Sequence, residues 1–131
     1  MRVIILGLIA IAIMAGLYLA GGSNNHTSAS KSIAFADVQA NVAKGARLYD
    51  VRTAEEYKAG HFSGSVNWPL QTMQAGTLPD VDKTAQIYLY CHSGNRASQA
   101  AVILKNAGYT NVTNLGGLAA VETIGGKLTT N

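Results

Sequence analysis

The chain has 131 residues, of which 10 are Lys or Arg and 7 are Asp or Glu, so its formal net charge is +3. The basic residues are scattered singly, without the cluster or stripe that tracks phosphates, so we expect no nucleic-acid partner. Once the apolar leader described next is set aside, about 100 residues remain, which is enough for one core and predicts a single domain.

The N-terminal segment predicts a leader directed to a membrane. Arg2 precedes an uncharged apolar run over 3–20, and small residues follow it. This pattern fits a cleaved export signal, and a helix of that length, about 27 Å, also fits an uncleaved anchor, so both hypotheses stay open. Because no Lys or Arg follows the run until Lys31, the positive-inside bias predicts an exported or periplasmic domain, attached to the inner membrane if the leader is retained.

Composition divides the chain into three parts. Residues 1–22 form the predicted signal peptide or anchor, and the polar, small-residue stretch 23–31 reads as a linker. Residues 32–131 are the predicted folded domain. We expect this domain to be a monomer that meets the membrane only through its N-terminal segment.

After the linker, short apolar runs alternate with helical patterns. Capping boxes and glycines mark where the helices begin and end. The predicted elements are a helix over 37–44, a strand over 47–51, a helix from Thr53 to about Gly60, strands over 65–68 and 86–90, a helix from Ala97 to Gly108, a strand over 112–115 and a short helix after Gly116-Gly117. This alternation predicts an α/β fold, with a parallel central sheet flanked by helices on both faces and chemistry at the carboxyl ends of the strands.

Cys91, the only cysteine, lies where the strand over 86–90 ends and a helical pattern follows. It cannot form a disulfide within its own chain, and by cysteine count alone it reads as a buried apolar residue or as half of an intermolecular disulfide. Backbone N–H groups and the positive end of a helix favour the thiolate anion, which is the nucleophilic form. We therefore predict that Cys91 is the catalytic nucleophile.

Four residues separate Cys91 from Arg96, and a loop of this length can curl so that its N–H groups converge on the sulfur. Gly94 permits the backbone angles of such a cradle, and we expect the side chains of Ser93 and Asn95 to hold the turn by local hydrogen bonds. The predicted substrate-binding residues are those of the loop and one neighbouring arginine: His92, Ser93, Gly94, Asn95, Arg96, Ala97 and Arg52.

Motifs along the domain carry a family resemblance. They are Asp50-Val51-Arg52, Glu56-Tyr57, Gly60-His61-Phe62, Gly64-Ser65-Val66-Asn67-Trp68-Pro69, the loop from Cys91 to Arg96, Gly108-Tyr109 and Leu115-Gly116-Gly117-Leu118. In this order and spacing they resemble a single-domain rhodanese, a member of a sulfurtransferase family, over about Ile33 to Val121. The resemblance implies a rhodanese-like three-layer α/β fold and transfer of sulfane sulfur from a donor such as thiosulfate to cyanide or a thiol.

A persulfide on Cys91 would carry the sulfur between donor and acceptor, with no dissociable cofactor. Covalent storage of this kind predicts ping-pong kinetics. His92 departs from the family pattern, because many rhodaneses that use thiosulfate carry Arg or Lys at that position, and histidine is charged only part of the time near neutral pH. The preference for thiosulfate is therefore less firmly predicted than sulfur transfer itself.

Two other functions are weighed against sulfur transfer. A cysteine phosphatase or arsenate reductase also cups an oxyanion above a cysteine, but the loop from Cys91 to Arg96 is one residue shorter than theirs, which favours an anion the size of sulfur. A sulfur carrier or sensor, or a partner-binding domain with little turnover, is the second alternative. We expect no metal site, because His26, His61 and His92 have no thiolate partner beyond Cys91.

Further residues near the motifs have structural as well as functional interpretations. Arg52 would attract an anionic donor, as the resemblance implies, or form a salt bridge. Arg96 would serve the donor or anchor the loop to an acid such as Asp50, which itself reads as structural. His61 is predicted to be a packed or hydrogen-bonded loop residue, and Trp68 and the tyrosines are predicted to be core residues.

Overall fold

The computed structural model describes residues 32–130, which belong to one compact unit, Ser32–Asn131. The predicted leader over 1–22 and the linker over 23–31 lie outside the described residues. In the described part of the chain, no helix is both long and apolar enough to cross a bilayer.

Helices and strands alternate along the domain, as the sequence predicts. In chain order they are α1 (Phe35–Ala43), β1 (Arg47–Asp50), α2 (Ala54–Ala59), β2 (His61–Phe62), β3 (Val66–Asn67), α3 (Leu70–Gln74), β4 (Ile87–Tyr90), α4 (Asn95–Asn106), β5 (Val112–Gly116), α5 (Leu118–Thr123) and β6 (Leu128–Thr129). The Thr53–Glu56 capping box starts α2, and Gly117 is the N-cap of α5.

A parallel sheet in the order β3-β1-β4-β5 forms the centre of the domain. All four residues of β4 are buried, because this inner strand is covered on both faces. Because the four strands are parallel, their carboxyl ends meet at one edge of the sheet. Cys91 follows β4 directly at this edge.

Two apolar clusters, one on each face of the sheet, make up the core. Side chains of a strand alternate between faces, so Leu89 joins one cluster and its neighbours Tyr88 and Tyr90 join the other. The first cluster packs α3 and α4 against the sheet and includes Cys91. The second packs residues of α1 and α5, such as Val38 and Val121, against the opposite face. The predicted three-layer α/β architecture is confirmed.

Three elements are absent from the sequence prediction. β2 and β6 form a small antiparallel sheet of two residues each, and α3 spans five residues. Runs this short contain too few residues for a period of 2 or 3.6 to be read. Tertiary contacts define them instead. β2 and β6 pair with each other across the chain. In α3, the N–H of Leu70 donates to the carbonyl of Val51, and Met73 is buried in the first cluster.

Candidate active site

Cys91 lies at the base of a loop between β4 and α4. Its side chain is fully buried, with 0% exposure, and packs in the cluster that contains Ala97 and Ala100 of α4. Its backbone N–H donates to the carbonyl of Gly116 at 3.1 Å, which extends the pairing of β4 with β5 by one residue. The predicted position of Cys91, at a strand end and before the start of a helix, is confirmed, and its role as nucleophile stays a prediction.

Gly94 brings the backbone onto the sulfur. It is the N-cap of α4 and has a φ of +93°, in the left-handed region that favours glycine. Its N–H donates to Cys91 Sγ at 2.9 Å. The sulfur therefore receives a backbone donor where α4 begins, and both the donor and the positive end of the helix stabilise a negative charge on it.

The segment Gly116-Gly117 supports the loop from β5. The N–H of Leu118 donates to the carbonyl of His92 at 3.0 Å, and Ser93 forms an isolated antiparallel bridge with Gly117. A Cβ atom on Gly117 would collide with the His92 carbonyl and lie 2.9 Å from the Cα of Ser93. Gly117 is thus required by a close approach of two backbone segments, whereas Gly116 has a φ of +98°, which favours glycine.

The side chains that hold the turn at Gly94 differ from the predicted ones. Ser98 Oγ donates to the Gly94 carbonyl at 3.1 Å, and Asn114 Nδ2 of β5 donates to the same carbonyl at 3.2 Å. Asn95 Oδ1 instead accepts from Gln99 Nε2, within α4, at 3.5 Å. The expectation that Ser93 and Asn95 hold the turn was wrong, because the partners come from the next helical turn and a neighbouring strand.

Arg96 forms a two-pronged ion pair with Glu56 of α2. Its Nη1 and Nη2 donate to the two carboxylate oxygens at 2.7 and 2.8 Å. These hydrogen bonds are the main cause of a fall in the pKa of Glu56 to about 2, and they raise the pKa of Arg96, to which the nearby Cys91 also contributes. Arg96 does anchor the loop, but to Glu56 rather than to the acid suggested from sequence, Asp50. The capping box that marks Glu56 in the sequence carries no sign of this second role.

Asp50 instead forms an ion pair with Arg52. The carboxylate accepts from Arg52 Nη2 at 2.6 Å and from Nε at 2.9 and 3.0 Å, and Nη2 also donates to the Gly60 carbonyl at 2.6 Å. Burial lowers the pKa of Arg52, but the hydrogen bonds and charge of Asp50 outweigh this and raise it. The structural role expected of Asp50 is confirmed. Arg52 forms a salt bridge, which was the predicted alternative to attracting an anionic donor. A contact between Arg52 and substrate stays a prediction.

The rim of the site consists of exposed loop residues. His92, Ser93 and Asn95 are exposed, whereas Gly94 and Arg96 are half-buried and Ala97 is buried. His61 is not among the loop residues: it is buried in β2, stacks on the Tyr57 ring at 3.9 Å, and its Nδ1 lies 2.9 Å from the Tyr57 carbonyl. The packed, hydrogen-bonded role predicted for His61 is confirmed.

Most of the aromatic residues predicted to be core residues are so, but Tyr57 is half-buried in α2 and belongs to neither cluster, and Tyr18 lies outside the described residues. Tyr49, Tyr88, Tyr90 and Tyr109 are buried, and Trp68 is half-buried against the first cluster. Burial raises the pKa of Tyr90, which keeps this phenol neutral. Within residues 32–130, no group of three or more His, Cys, Asp or Glu side chains is arranged to hold a metal ion.

The charges around the loop balance in pairs. Arg96 is matched by Glu56 and Arg52 by Asp50, so neither cation is left uncompensated beside the sulfur. An anion on Cys91 therefore depends mainly on the Gly94 N–H and on the start of α4 for stabilisation. Such a site suits a small anion centred on sulfur.

Known proteins resemble this chain in sequence and in fold. The family model of the rhodanese-like domain matches residues 34–123. Thiosulfate sulfurtransferase PspE of Escherichia coli (strain K12) is 40% identical over 72 residues, which cover 53% of this chain and 67% of that protein. The solved structure described as rhodanese with anions from E. coli superimposes with a TM-score of 0.56 at 32% identity, covering 66% of this chain and 100% of that one.

A third relative is longer. The putative sulfur carrier protein YrkF of Bacillus subtilis (strain 168) is 35% identical over 68 residues, and the match covers 52% of this chain but only 36% of that protein. The match thus covers about half of this chain and about a third of that relative. From the family match, which spans most of the described residues, it follows that the chain belongs to the rhodanese-like domain family.

Proposed function

We propose that the protein is a sulfurtransferase that carries sulfane sulfur as a persulfide on Cys91. The observation that carries the proposal is the hydrogen bond from the Gly94 N–H to Cys91 Sγ at the start of α4. A thiolate and a persulfide are both anions, so the same donor stabilises the enzyme before and after it is loaded. The similarity to a protein named as a thiosulfate sulfurtransferase supports the same chemistry.

The reaction has two displacements. In the first, the Cys91 thiolate attacks the outer sulfur of thiosulfate, a new S–S bond forms, and the S–S bond of the donor breaks as sulfite leaves with the electron pair. In the second, an acceptor such as cyanide attacks the outer sulfur of the persulfide, and the Cys91 thiolate leaves. Thiocyanate is the product, and no electrons are gained or lost overall.

The position of Arg96 disfavours the phosphatase alternative. A phosphatase arginine binds phosphate oxygens with its terminal nitrogens, whereas both terminal nitrogens of Arg96 donate to Glu56. The pairing leaves the backbone of the loop as the main anion donor. Such a cradle fits one sulfur atom better than a tetrahedral oxyanion.

The burial of Cys91 favours a second candidate, a sulfur carrier with little turnover. Cys91 has 0% exposure, so the inner sulfur of a persulfide is shielded from solvent, and restricted access to the S–S bond would slow its discharge. The similarity to a putative sulfur carrier protein is consistent with this role. Both candidates require the same persulfide and differ in how fast it is discharged.

One experiment tests both candidates. The purified protein is incubated with thiosulfate, and the mass of the intact chain is compared with that of Cys91→Ser. We expect the native chain, and not the variant, to gain one sulfur atom. Cyanide is then added: rapid, repeated formation of thiocyanate identifies the enzyme, whereas a persulfide that discharges only once or slowly identifies the carrier.

If the native chain gains no sulfur, both candidates are rejected, and release of phosphate from an aryl phosphate would support the phosphatase.

We propose further that the domain works outside the cytoplasm; its monomeric state stays a prediction. The apolar run over 3–20 supports this, since it fits either a signal peptide or an anchor. A C-terminal reporter that is active only outside the cytoplasm should function when fused to the full chain and fail when residues 3–20 are deleted. Equal reporter activity in the two fusions would reject export.

A further inference from the structure

We infer that Asn114 is a positioning residue for the sulfur chemistry of Cys91. The inference rests on the proposed function, and it concerns a residue of β5 that lies outside the loop. The side-chain hydrogen bonds of Asn114 go to Gly94, Ser98 and Gly116, and none of them reaches Cys91. Asn114 acts through Gly94.

The amide of Asn114 joins β5 to the loop through both of its ends. Oδ1 accepts from the Gly116 N–H at 2.8 Å, and Nδ2 donates to the Gly94 carbonyl at 3.2 Å and to Ser98 Oγ at 2.9 Å. Ser98 Oγ donates in turn to the Gly94 carbonyl. The side chain thus ties the turn at Gly94 to the strand that also accepts the Cys91 N–H.

Gly94 needs this outside support. It has no side chain, and its φ of +93° is one of several values that glycine adopts easily. The direction of its N–H, which donates to Cys91 Sγ, therefore depends on what holds the residue. The Gly94 carbonyl accepts from the Ser98 N–H at 3.0 Å, as part of α4, and from Ser98 Oγ and Asn114 Nδ2. These donors hold the peptide that follows Gly94, and this restricts the φ and ψ of Gly94 that set the direction of its N–H, on the preceding peptide, towards the sulfur.

An irregularity in the sheet places Asn114 at this point. β5 pairs with β4 in regular parallel register as far as Leu89 and Asn114, and the register then shifts so that Tyr90 pairs with Gly116. The turn closed by Asn114 Oδ1 and the Gly116 N–H spans the shift. Bulges next to active sites commonly aim a side chain, and here the aimed group is the amide of Asn114.

Two substitutions separate the donor from the acceptor of this amide. Asn114→Ala removes both, whereas Asn114→Asp keeps an oxygen for the Gly116 N–H and loses the Nδ2 donor to Gly94. Asn111→Asp is the matched control, because Asn111 Nδ2 also donates to a backbone carbonyl, that of Thr84 at 2.7 Å, beside the opposite end of β5. Asn114 is exposed, so these variants are expected to fold. If one of them does not fold, Asn114→Ser replaces it, because serine also lacks the Nδ2 donor.

Steady-state sulfur transfer is measured in about 1 M salt, where the new charge of an aspartate is screened over a few ångströms. We expect kcat to fall about tenfold in both Asn114→Ala and Asn114→Asp, since the lost alignment weakens a hydrogen bond to an anion, with a smaller change in KM. Asn111→Asp should stay within about twofold of the native protein. If the kcat of Asn114→Asp equals that of the native protein, the inference is overturned. The hydrogen bond to the Gly116 N–H alone would then explain any fall in the kcat of Asn114→Ala.

Amide hydrogen exchange gives a readout that does not need activity. We expect faster exchange at Gly94 in the Asn114 variants, with unchanged exchange across β4. Faster exchange throughout the domain would mean a general loss of stability, and unchanged exchange at Gly94 would mean no positioning; either result overturns the inference. If the native protein transfers no sulfur, the proposed function fails, and the exchange at Gly94 still decides what Asn114 does.

Discussion

Single residues at the loop show how a buried thiol is supplied with a donor. Gly94 combines a positive φ with an N–H on the sulfur, and an added Cβ would lie 3.4 Å from the Cα of Gly116. The residue therefore has two roles, because its backbone conformation favours glycine and its N–H is the donor to the sulfur. These can be separated, because Gly76 has nearly the same φ, +94°, with no atom within 4 Å of an added Cβ.

We predict that Gly94→Ala and Gly76→Ala each lower the free energy of unfolding by about 1–2 kcal/mol, the cost of a side chain in the left-handed region. Only Gly94→Ala should also reduce sulfur transfer, by at least about tenfold, since it displaces the donor to the sulfur. Urea denaturation and thiocyanate formation measure the two effects. Equal loss of activity in both variants would show that strain, and not the position of the N–H, matters.

At the scale of elements, the pair between Arg96 and Glu56 links α4 to α2. Glu56 completes the capping box of α2 by accepting from the Thr53 N–H at 3.0 Å, and the same carboxylate binds the first turn of α4. A positive side chain at a helix start is unfavourable by itself, and Glu56 offsets it. The start of one helix thus stabilises the start of another.

The pKa of Glu56 gives this link a pH dependence. Because the pKa falls from its ordinary 4.5 to about 2 in the folded protein, the stabilisation is fully present above 4.5 and is lost as the pH falls towards 2. The pair is partly exposed, so we expect Glu56→Gln to cost only about 1 kcal/mol at neutral pH and progressively less below about pH 4.

Urea denaturation of the native protein and of Glu56→Gln across this pH range tests the prediction. Glu55→Gln is the matched control, since Glu55 is an exposed acid in the same helix turn. Its unfolding free energy should differ little from the native value at any pH. A cost of Glu56→Gln that stays constant with pH would contradict the role assigned to the ion pair.

For the whole molecule, the sheet divides the core into two clusters that share no buried side chain. Ile87 of β4 belongs to the cluster beneath α3 and α4, and Val121 of α5 belongs to the cluster on the other face. Both are fully buried. A cavity in one cluster should therefore leave the packing of the other intact.

We predict that Ile87→Val costs about 0.5–1.5 kcal/mol and Val121→Ala about 2 kcal/mol, the transfer energy of the lost methyl groups plus a cavity term. Because the sites lie on opposite faces of the sheet, the double variant should show the sum of the two costs within about 0.5 kcal/mol. Urea denaturation of the two single variants and the double variant tests this. A coupling energy above about 1 kcal/mol would show that the sheet transmits packing changes between its faces.

The local patterns of the sequence were sufficient for the framework. Apolar runs and helix caps predicted the four parallel strands and the helices α1, α2, α4 and α5, since each signal is complete within a few neighbouring residues. The position of Cys91 between β4 and α4 followed from the same signals. The small β2-β6 sheet and α3 were not predictable in this way, because contacts between distant segments define them.

The sequence by itself determined the α/β class and the position of Cys91 at the carboxyl edge of the sheet, where β4 ends and α4 follows. Only the tertiary structure decided the partners of the polar side chains: Arg96 with Glu56, Arg52 with Asp50, and Asn114 with the carbonyl of Gly94. The physical reason is the distance along the chain over which each kind of interaction acts. Periodicity and capping are local, whereas a hydrogen bond between side chains depends on where the packed elements bring their ends together.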